Sequence, residues 1–276
     1  MQMQFTPKEA NLGFEAGTAG SMPWQMVPAG GARGLKLSQA QNLEIKIDPA
    51  PGGGARGGLG FSETRLNSTT QREIWIQGSV RGRYLVSAAK AGVPVVPLEA
   101  EVFSERVVKI AFYIMGDSIG NWDVKKLSEM ANAIWFPQAN VRVEFHSVWP
   151  HTSMTPQLKI SGLIDMKQDG QRTAFMDYGN NWAANLMVYF GSRKIAADKG
   201  YSTNAQTSGN KTYVDTSTHP AQNYTKMAHT LAHEIGHFVC LDNVGKSHDA
   251  KATDLMFATG QGGTQIRRTR VRLVYR

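Results

Sequence analysis

The sequence predicts an α+β fold, in which a mixed β-sheet carries helices and is preceded by a small all-β, sandwich-like segment. Three observations lead to this prediction. Residues 34–103 alternate between apolar and polar side chains and lack helical periodicity, as half-buried strands do. Residues 106–190 combine apolar strands with one long segment of helical periodicity. A second helical segment, near residues 225–239, has an apolar stripe on one face.

Composition is that of a folded protein with a single cysteine. The chain has 276 residues, of which 41% are hydrophobic and 19% charged, and no apolar run approaches the roughly 18 residues that a membrane span needs. Because Cys240 is the only cysteine, neither an intrachain disulfide nor a cysteine-based metal cluster is expected. The first residues lack the features of a signal peptide, which predicts either another export route, no export, or a longer parent polypeptide.

The formal charge of +8 comes largely from one arginine-rich segment. Five arginines fall within residues 267–276, and no nucleic-acid motif accompanies them. We therefore expect a solvated face there and no nucleic-acid partner, with anion binding as the alternative.

Residues 1–104 are predicted to form an immunoglobulin-like accessory or linker domain made of β-strands. The alternation is clearest around Leu43 and Ile45, which are separated by a charged residue. Pro94 and Pro97 indicate an edge position for the strand that contains them. No residue pattern in this segment points to chemistry, so its expected role is placement, linkage or partner binding.

Residues 105–276 are predicted to form a second domain, built around a sheet. Its expected elements are a strand at 106–115, a helix that begins near Asp123 and stops at Pro137, strands at 141–145 and 186–190, and a possible edge strand at 211–214. The strand at 186–190 is apolar throughout, which is typical of a central position buried on both faces.

The strongest chemical signal is the stretch His233-Glu234-Ile235-Gly236-His237, a match to H-E-x-x-H. On a helix, residues four apart share a face, so both imidazoles can reach one metal ion. Glu234 lies beside His233, where a carboxylate can activate a water without being a ligand. His229 is too far along the helix to join the same ion, so we expect a structural role for it.

A catalytic zinc ion requires three protein ligands and an open position. Glu234 is the last glutamate of the chain, so a downstream glutamate cannot be the third ligand. The candidates are the imidazole of His248, the amide of Asn243 and the carboxylates of Asp249 and Asp254.

The motif and the residues after it resemble those of the metzincin zinc metallopeptidases. In that family a glycine stands three residues after the second histidine, and the third histidine follows three residues later. Here these positions hold Cys240 and Asn243, which depart from the pattern. In the matrix-metalloprotease branch the third histidine precedes the methionine of the Met-turn by eight residues, and His248 precedes Met256 by eight. A five-residue insertion, with a turn at Asn243 and Gly245, accounts for the difference.

The resemblance implies a metzincin-like zinc metallopeptidase domain at 105–276. It implies a zinc ion held by His233, His237 and His248, with Glu234 as general base and Met256 beneath the metal. Many metzincins place a tyrosine after that methionine, but this chain has Phe257, so help for the oxyanion must come from elsewhere. The candidates, which sequence does not rank, are Tyr213, Tyr224 and Tyr275.

The whole chain, with its β-rich segment leading into TLAHEIGHFVCLDN, also resembles the C-terminal effector region of VgrG-type type VI secretion spike proteins. That resemblance implies an antibacterial toxin that leaves the cell without a signal peptide and acts in the periplasm of a target cell. It also implies that the chain is part of a longer spike polypeptide, trimeric through the missing part.

Two functional hypotheses follow from these patterns. The first is a zinc endopeptidase that acts on protein or peptide substrates, with a substrate strand pairing at an exposed sheet edge within residues 205–216. The second is a non-catalytic binding or delivery module with a degenerate zinc site, which the departures at Cys240 and Asn243 motivate.

Overall fold

The computed structural model describes both halves of the chain with gaps between segments. The described residues are 4–18, 21–38, 40–51, 53, 55–67, 70–115, 118–150, 183–192, 195–196, 202–203, 205–219, 223–240, 248–256 and 263–275. They contain strands and helices in a mixed arrangement, with the helices confined to the second half. None of the described helices combines the length and the hydrophobicity that crossing a lipid bilayer requires.

The first half consists of strands, and no helix is assigned among its described residues. The strands are Phe5–Pro7 (β1), Phe14–Glu15 (β2), Trp24–Pro28 (β3), Ala32–Leu37 (β4), Leu43–Pro49 (β5), Leu59–Phe61 (β6), Arg65–Leu66 (β7), Arg72–Gly78 (β8), Gly82–Lys90 (β9) and Val93–Phe103 (β10). They form a four-stranded sheet in the order β1-β4-β8-β6 and a six-stranded sheet in the order β2-β3-β10-β9-β5-β7.

The two sheets share one buried apolar cluster. Ile74 and Ile76 of β8 belong to it together with Val86 of β9 and Leu98 of β10. Along β8, buried and exposed residues alternate from Glu73 onward, which is the period that places every second side chain in the core. The immunoglobulin-like character of this segment stays a prediction.

Strand β10 is not at the edge of its sheet, which corrects the expectation drawn from its prolines. It pairs with β9 along most of its length and with β3 from Glu99 to Phe103. Pro94 and Pro97 lie before Glu99, in the part of the strand that pairs with β9 alone. Among the described strands, this part of β10 has a neighbour on one side only, which is where proline is tolerated in a sheet.

The second half is organised around a five-stranded sheet. Its elements are Arg106–Ile114 (β11), Val124–Ala139 (α1), Val141–Pro150 (β12), Leu186–Gly191 (β13), Ile195–Ala196 (β14), Ser202–Thr203 (β15), Ala205–Ser208 (β16), Lys211–Asp215 (β17), Tyr224–Val239 (α2) and Arg268–Val274 (α3). The sheet has the order β12-β11-β13-β17-β16, with β16 antiparallel to β17 and the other neighbours parallel. Every residue of β13 is buried, as expected of the central strand.

Strand β17 is an interior strand, whereas the sequence indicated a possible edge. The edge is β16, which reads Ala-Gln-Thr-Ser and lacks any apolar alternation. A short polar segment gives no periodic signal, so only the structure shows that it pairs with β17.

Helix α1 continues past Pro137, which corrects the predicted stop. It begins after Asp123, whose Oδ1 accepts a hydrogen bond from the N–H of Lys126 at 3.0 Å. Proline removes its own N–H, but the residues after it can still bond backward, and the helix runs to Ala139. The helix ends at Asn140, which adopts the left-handed conformation with φ 54°.

Helices α1 and α2 pack together in the second apolar core. The indole Nε1 of Trp135 in α1 donates to the carbonyl oxygen of Ala232 in α2 at 2.8 Å. The same core includes Trp24, Met26 and Phe103 from the first half of the chain. Because contacts cross residue 104, the division into domains at that point stays a prediction.

The arginine-rich segment is not a solvated face, which corrects the expectation from net charge. Four of its arginines lie among the described residues, and each pairs with carboxylates: Arg267 with Asp254, Arg268 with Glu99, Arg270 with Asp249, and Arg272 with Glu99 and Glu101. Glu99, Glu101 and Asp254 are buried, and a buried carboxylate requires a cationic partner. The ion pairs with these carboxylates hold the arginine side chains against the protein interior.

Candidate metal centre

Helix α2 presents the H-E-x-x-H residues from a firmly docked position. Its N-cap is Asn223, whose Oδ1 accepts from the N–H of Lys226 at 3.0 Å. The apolar stripe of Met227, Leu231 and Ile235 is fully buried against the rest of the core. Docking by this stripe leaves the two histidines of the motif on the neighbouring face.

Three imidazoles converge at this face. The Nε2 atom of His237 lies 3.1 Å from Nε2 of His233. The ring centroid of His248 is 5.3 Å from that of His233 and 5.1 Å from that of His237. One nitrogen from each ring lies within 4.8 Å of the others, and within the described part of the chain this is the group with the spacing of a metal site. The structure thus brings together the three histidines that the sequence singled out.

The carbonyl oxygen of Leu255 selects the tautomer of His233. Nδ1 of His233 lies 2.7 Å from this oxygen. Because a carbonyl oxygen can only accept, Nδ1 carries the proton and Nε2 keeps its lone pair. Nε2 is also the atom nearest His237, so the backbone contact directs the lone pair toward the three-histidine group.

Burial keeps the two helical imidazoles neutral. It lowers the pKa of His233 from 6.5 to about 4, with an opposing contribution from the Leu255 hydrogen bond. It lowers the pKa of His237 from 6.5 to about 3, and the neighbouring imidazoles add to the effect. Only neutral imidazole can bind a metal ion, so both groups are in the required form at neutral pH.

Met256 packs against α2 between the two histidines of the motif. A Cβ placed on Gly236 would overlap with the sulfur of Met256 and come within 3.2 Å of Trp135. Glycine at this position therefore makes room for Met256, which is buried. The predicted contact of Met256 with the underside of a metal stays a prediction.

Glu234 is buried and bonded to a residue that the sequence did not single out. The hydroxyl of Thr207 in β16 donates to Oε2 of Glu234, and the same hydroxyl lies 2.8 Å from Oγ1 of Thr212. Burial raises the pKa of Glu234 from 4.5 to about 7, while the Thr207 hydrogen bond acts to lower it. A lone threonine in a polar segment gives no sequence signal for this role.

Cys240 stands where the metzincin pattern has glycine, and its backbone does not require one. It caps the C-terminus of α2 with φ −84° and ψ −2°, a right-handed conformation open to ordinary residues. Its N–H bonds to the carbonyl oxygen of Gly236 at 3.0 Å. The proposed turn at Asn243 and Gly245, and Phe257, lie outside the described residues.

The two aspartates considered as third ligands are held by arginines. Oδ1 of Asp249 accepts from Nε of Arg270 at 3.2 Å, and Oδ2 of Asp254 accepts from Nε of Arg267 at 2.8 Å. Of the candidates that lie in the described segments, His248 is the one in the group with metal-site spacing.

His229 and the candidate tyrosines make other contacts. Nε2 of His229 lies 2.8 Å from a backbone carbonyl, which agrees with a structural role. The Tyr224 hydroxyl accepts from the N–H of Asp123, and the Tyr275 hydroxyl donates to carbonyls at the end of α1. Tyr213 is buried in β17. The hydroxyls of Tyr224 and Tyr275 are thus engaged with backbone groups at the two ends of α1, and the role of a tyrosine at the oxyanion stays a prediction.

No protein-family model and no curated protein matches the chain. Among solved structures, archaemetzincin from Methanopyrus kandleri matches 61% of this chain and 93% of its own, at 10% identity and a TM-score of 0.45. Metalloproteinase-II from Bacteroides fragilis matches 91% of this chain and 84% of its own, at 11% identity and a TM-score of 0.36. At these values of identity and TM-score, neither likeness assigns a family or an activity to this chain.

Proposed function

We propose that this protein is a zinc-dependent endopeptidase that hydrolyses peptide bonds in protein or peptide substrates. His233, His237 and His248 would hold the metal, Glu234 would act as general base, and Met256 would lie beneath the metal site. The observation that carries the proposal is the convergence of three histidines beside a buried carboxylate on the same helix. Two of these imidazoles are kept neutral by burial, as ligands must be.

The donor set fits zinc. Imidazole nitrogen is a preferred zinc ligand, and three protein ligands leave one position open, which is the arrangement of catalytic sites. A bound zinc ion would polarise the substrate carbonyl and lower the pKa of a water molecule.

Glu234 moves the proton in the proposed reaction. Its carboxylate takes a proton from the attacking water and delivers it to the leaving amine. Thr207 holds Oε2, which leaves Oε1 for the proton. A nearby cation favours the charged form of a carboxyl group, so metal loading would lower the pKa of Glu234 from its raised value and generate the base.

The edge strand β16 is the proposed docking site for the substrate backbone. Among the described strands β16 is the last of the five-stranded sheet, and its Thr207 contacts Glu234, so a peptide paired to this strand would lie beside the base. β17 is paired on both sides. Within the expected region of 205–216, the proposed docking site is therefore the part of β16 around Thr207.

Zinc content and peptidase activity together test the proposal. Wild-type protein should bind stoichiometric zinc, cleave an unfolded protein such as casein, lose activity to a chelator and regain it with zinc. Glu234→Gln should keep zinc and lose activity by a factor of about 100 or more, because it removes the general base. His248→Ala should bind zinc more weakly. Activity that survives in Glu234→Gln contradicts hydrolysis by this route, and unchanged zinc affinity in His248→Ala removes His248 from the ligand set.

The competing hypothesis is a non-catalytic binding or delivery module with a degenerate zinc site. The right-handed backbone at Cys240 and the convergence of three histidines favour an intact site instead. If the competing hypothesis holds, wild type and Glu234→Gln will be equally inactive on every peptide substrate.

We propose further that the enzyme is cargo of a trimeric type VI secretion spike and acts as an antibacterial toxin in the periplasm of a target cell. This proposal rests on the sequence resemblance. Export of the protein into the periplasm of a susceptible bacterium should slow growth, whereas the exported Glu234→Gln variant should not. Equal growth of the two strains would overturn it.

A further inference from the structure

His248 has the least support from secondary structure among the three histidines. His233 and His237 are fixed by the backbone of α2, whereas His248 is exposed and lies outside the helices and strands. A ligand that must be ordered on binding lowers affinity, because its conformational entropy is lost at that moment. The contacts of the segment that begins at His248 therefore bear directly on metal affinity.

Asp249, the next residue, is attached at two points. Its N–H donates to the carbonyl oxygen of Met256 at 2.7 Å, which closes the segment 249–256 into a loop. Its Oδ1 accepts from Nε of Arg270 at 3.2 Å. Arg270 is only 4% exposed, so this ion pair lies in an environment where solvent screens it little.

Helix α3, which carries Arg270, is fixed in turn to the first half of the chain. Nε of Arg272 donates to Glu101 of β10 at 2.9 Å, and Nη2 of Arg272 lies 2.6 Å from Oε1 of Glu99. Arg268 also pairs with Glu99. Glu99 and Glu101 are buried in the part of β10 that pairs with both β3 and β9, and together they anchor α3 to this strand.

Arg106 ties the end of α3 to the end of α2. Its Nη1 donates to the carbonyl oxygens of Val239 and Val274, at 3.2 Å and 2.6 Å. One guanidinium thus binds the C-terminal carbonyls of both helices, where a cation is favoured. Helix α3 is therefore fixed relative to the helix that carries the other two ligands.

We propose that Arg270 is a positioning residue for His248, acting through the carboxylate of Asp249. Helix α3 connects the anchor on β10 to the third ligand, and the N–H of Asp249 completes the loop. The inference rests on the proposed function in one respect, that His248 is the third metal ligand. The arginine-rich segment then serves to position a metal ligand of the same chain.

Zinc affinity measured by competition with a chelator tests this role without reference to peptidase activity. Asp249→Asn keeps the shape of the side chain and loses its charge, while Arg270→Lys keeps the charge and loses the planar fork. Each should weaken zinc binding by a factor of about 10 to 100, the range for partners that orient a ligand. The absorption spectrum of the cobalt-substituted protein should change in both variants, because the third ligand is displaced.

Arg267→Gln is the matched control. It breaks the ion pair with Asp254, on the same segment and at the start of the same helix, whereas its interaction with Asp249 is the weakest of its electrostatic contacts and the Arg270–Asp249 ion pair stays in place. This variant should lower the melting temperature and leave zinc affinity within about threefold of wild type, because the residue beside His248 keeps its partner.

Several outcomes overturn the proposal. Wild-type zinc affinity in folded Asp249→Asn protein does so, as does an equal loss in Arg267→Gln. If Arg270→Lys fails to fold, Asp249→Asn decides, and failure of both to fold shows that the pair serves the fold rather than His248. These outcomes can be distinguished from a failure of the proposed ligand set. If His248 is not a metal ligand, His248→Ala will bind zinc as tightly as wild type.

Discussion

Glu234 and the histidines beside it respond to pH in opposite directions. Burial raises the pKa of Glu234 from 4.5 to about 7, so between these values the folded chain holds a proton that the unfolded chain releases. Its contribution to the free energy of unfolding therefore falls as pH rises. Burial lowers the pKa of His233 to about 4 and that of His237 to about 3, so the unfolded chain gains protons below 6.5. Their contribution rises with pH.

Replacing Glu234 by glutamine removes one of these contributions and leaves the other. We expect metal-free Glu234→Gln protein to match wild type near pH 4.5 and to be more stable above pH 7. The difference should reach about 3 kcal/mol, because only the wild type carries a buried carboxylate charge there. Urea unfolding at several pH values, with a chelator present throughout, measures it. A difference independent of pH would show that Glu234 is not held as a neutral acid.

The position of a residue in the site was predictable from the sequence where the geometry of its own helix determines it. The four-residue spacing of His233 and His237 fixes their common face on any helix. Thr207 was not predictable, because its contact with Glu234 spans 27 residues and depends on where the sheet places β16. The tautomer of His233 was not predictable either, because the backbone carbonyl of Leu255, 22 residues away, determines it.

At the scale of elements, the close approach of α2 to the segment around Met256 depends on Gly236. A methyl group there would overlap with the Met256 sulfur, although alanine has the higher helix propensity. We expect Gly236→Ala to destabilise the protein by about 1–2 kcal/mol, because overpacking exceeds the gain in propensity. Thermal or urea unfolding measures the change.

A double-mutant cycle with Met256→Ala identifies the cause. In that background the overlap with Met256 is gone, so Gly236→Ala should be neutral or stabilising. An identical loss of stability in both backgrounds would mean that Met256 does not press on the helix at this point.

Elements with strong periodicity were predictable, and their ends were not. The apolar strand β13 and the stripe of α2 match the expectations from sequence. The end of α1 does not, because Asn140 adopts the left-handed conformation that stops the helix and Pro137 does not. β16 was not predicted as a strand, because an alanine followed by three polar residues shows no alternation.

The two halves of the molecule are expected to unfold together. Trp24 lies in the core of the second half, and its Nε1 donates to Oε2 of Glu101 at 3.0 Å. Glu101 also pairs with Arg272 of α3. Because of such contacts, each half contributes to the stability of the other half.

Glu101→Gln tests this coupling. We expect a loss of about 1–3 kcal/mol in the free energy of unfolding, since charge-assisted hydrogen bonds to a buried carboxylate are weakened. The transition should remain single in calorimetry. Glu105→Gln, which breaks a more exposed pair with Arg142, should change stability much less. Two resolved transitions in either variant would indicate that the halves are independent domains.

The position of α3 in the chain has a consequence for biosynthesis. Translation runs from the N-terminus, so the H-E-x-x-H motif and His248 leave the ribosome before Arg268 and Arg270 do. A nascent chain that ends before residue 263 contains every proposed ligand. It lacks Arg270, which pairs with Asp249, and Arg268, which pairs with Glu99 of β10. Such a chain should capture zinc more weakly than a chain that includes α3, so the metal centre is complete only after α3 has been synthesised and has docked.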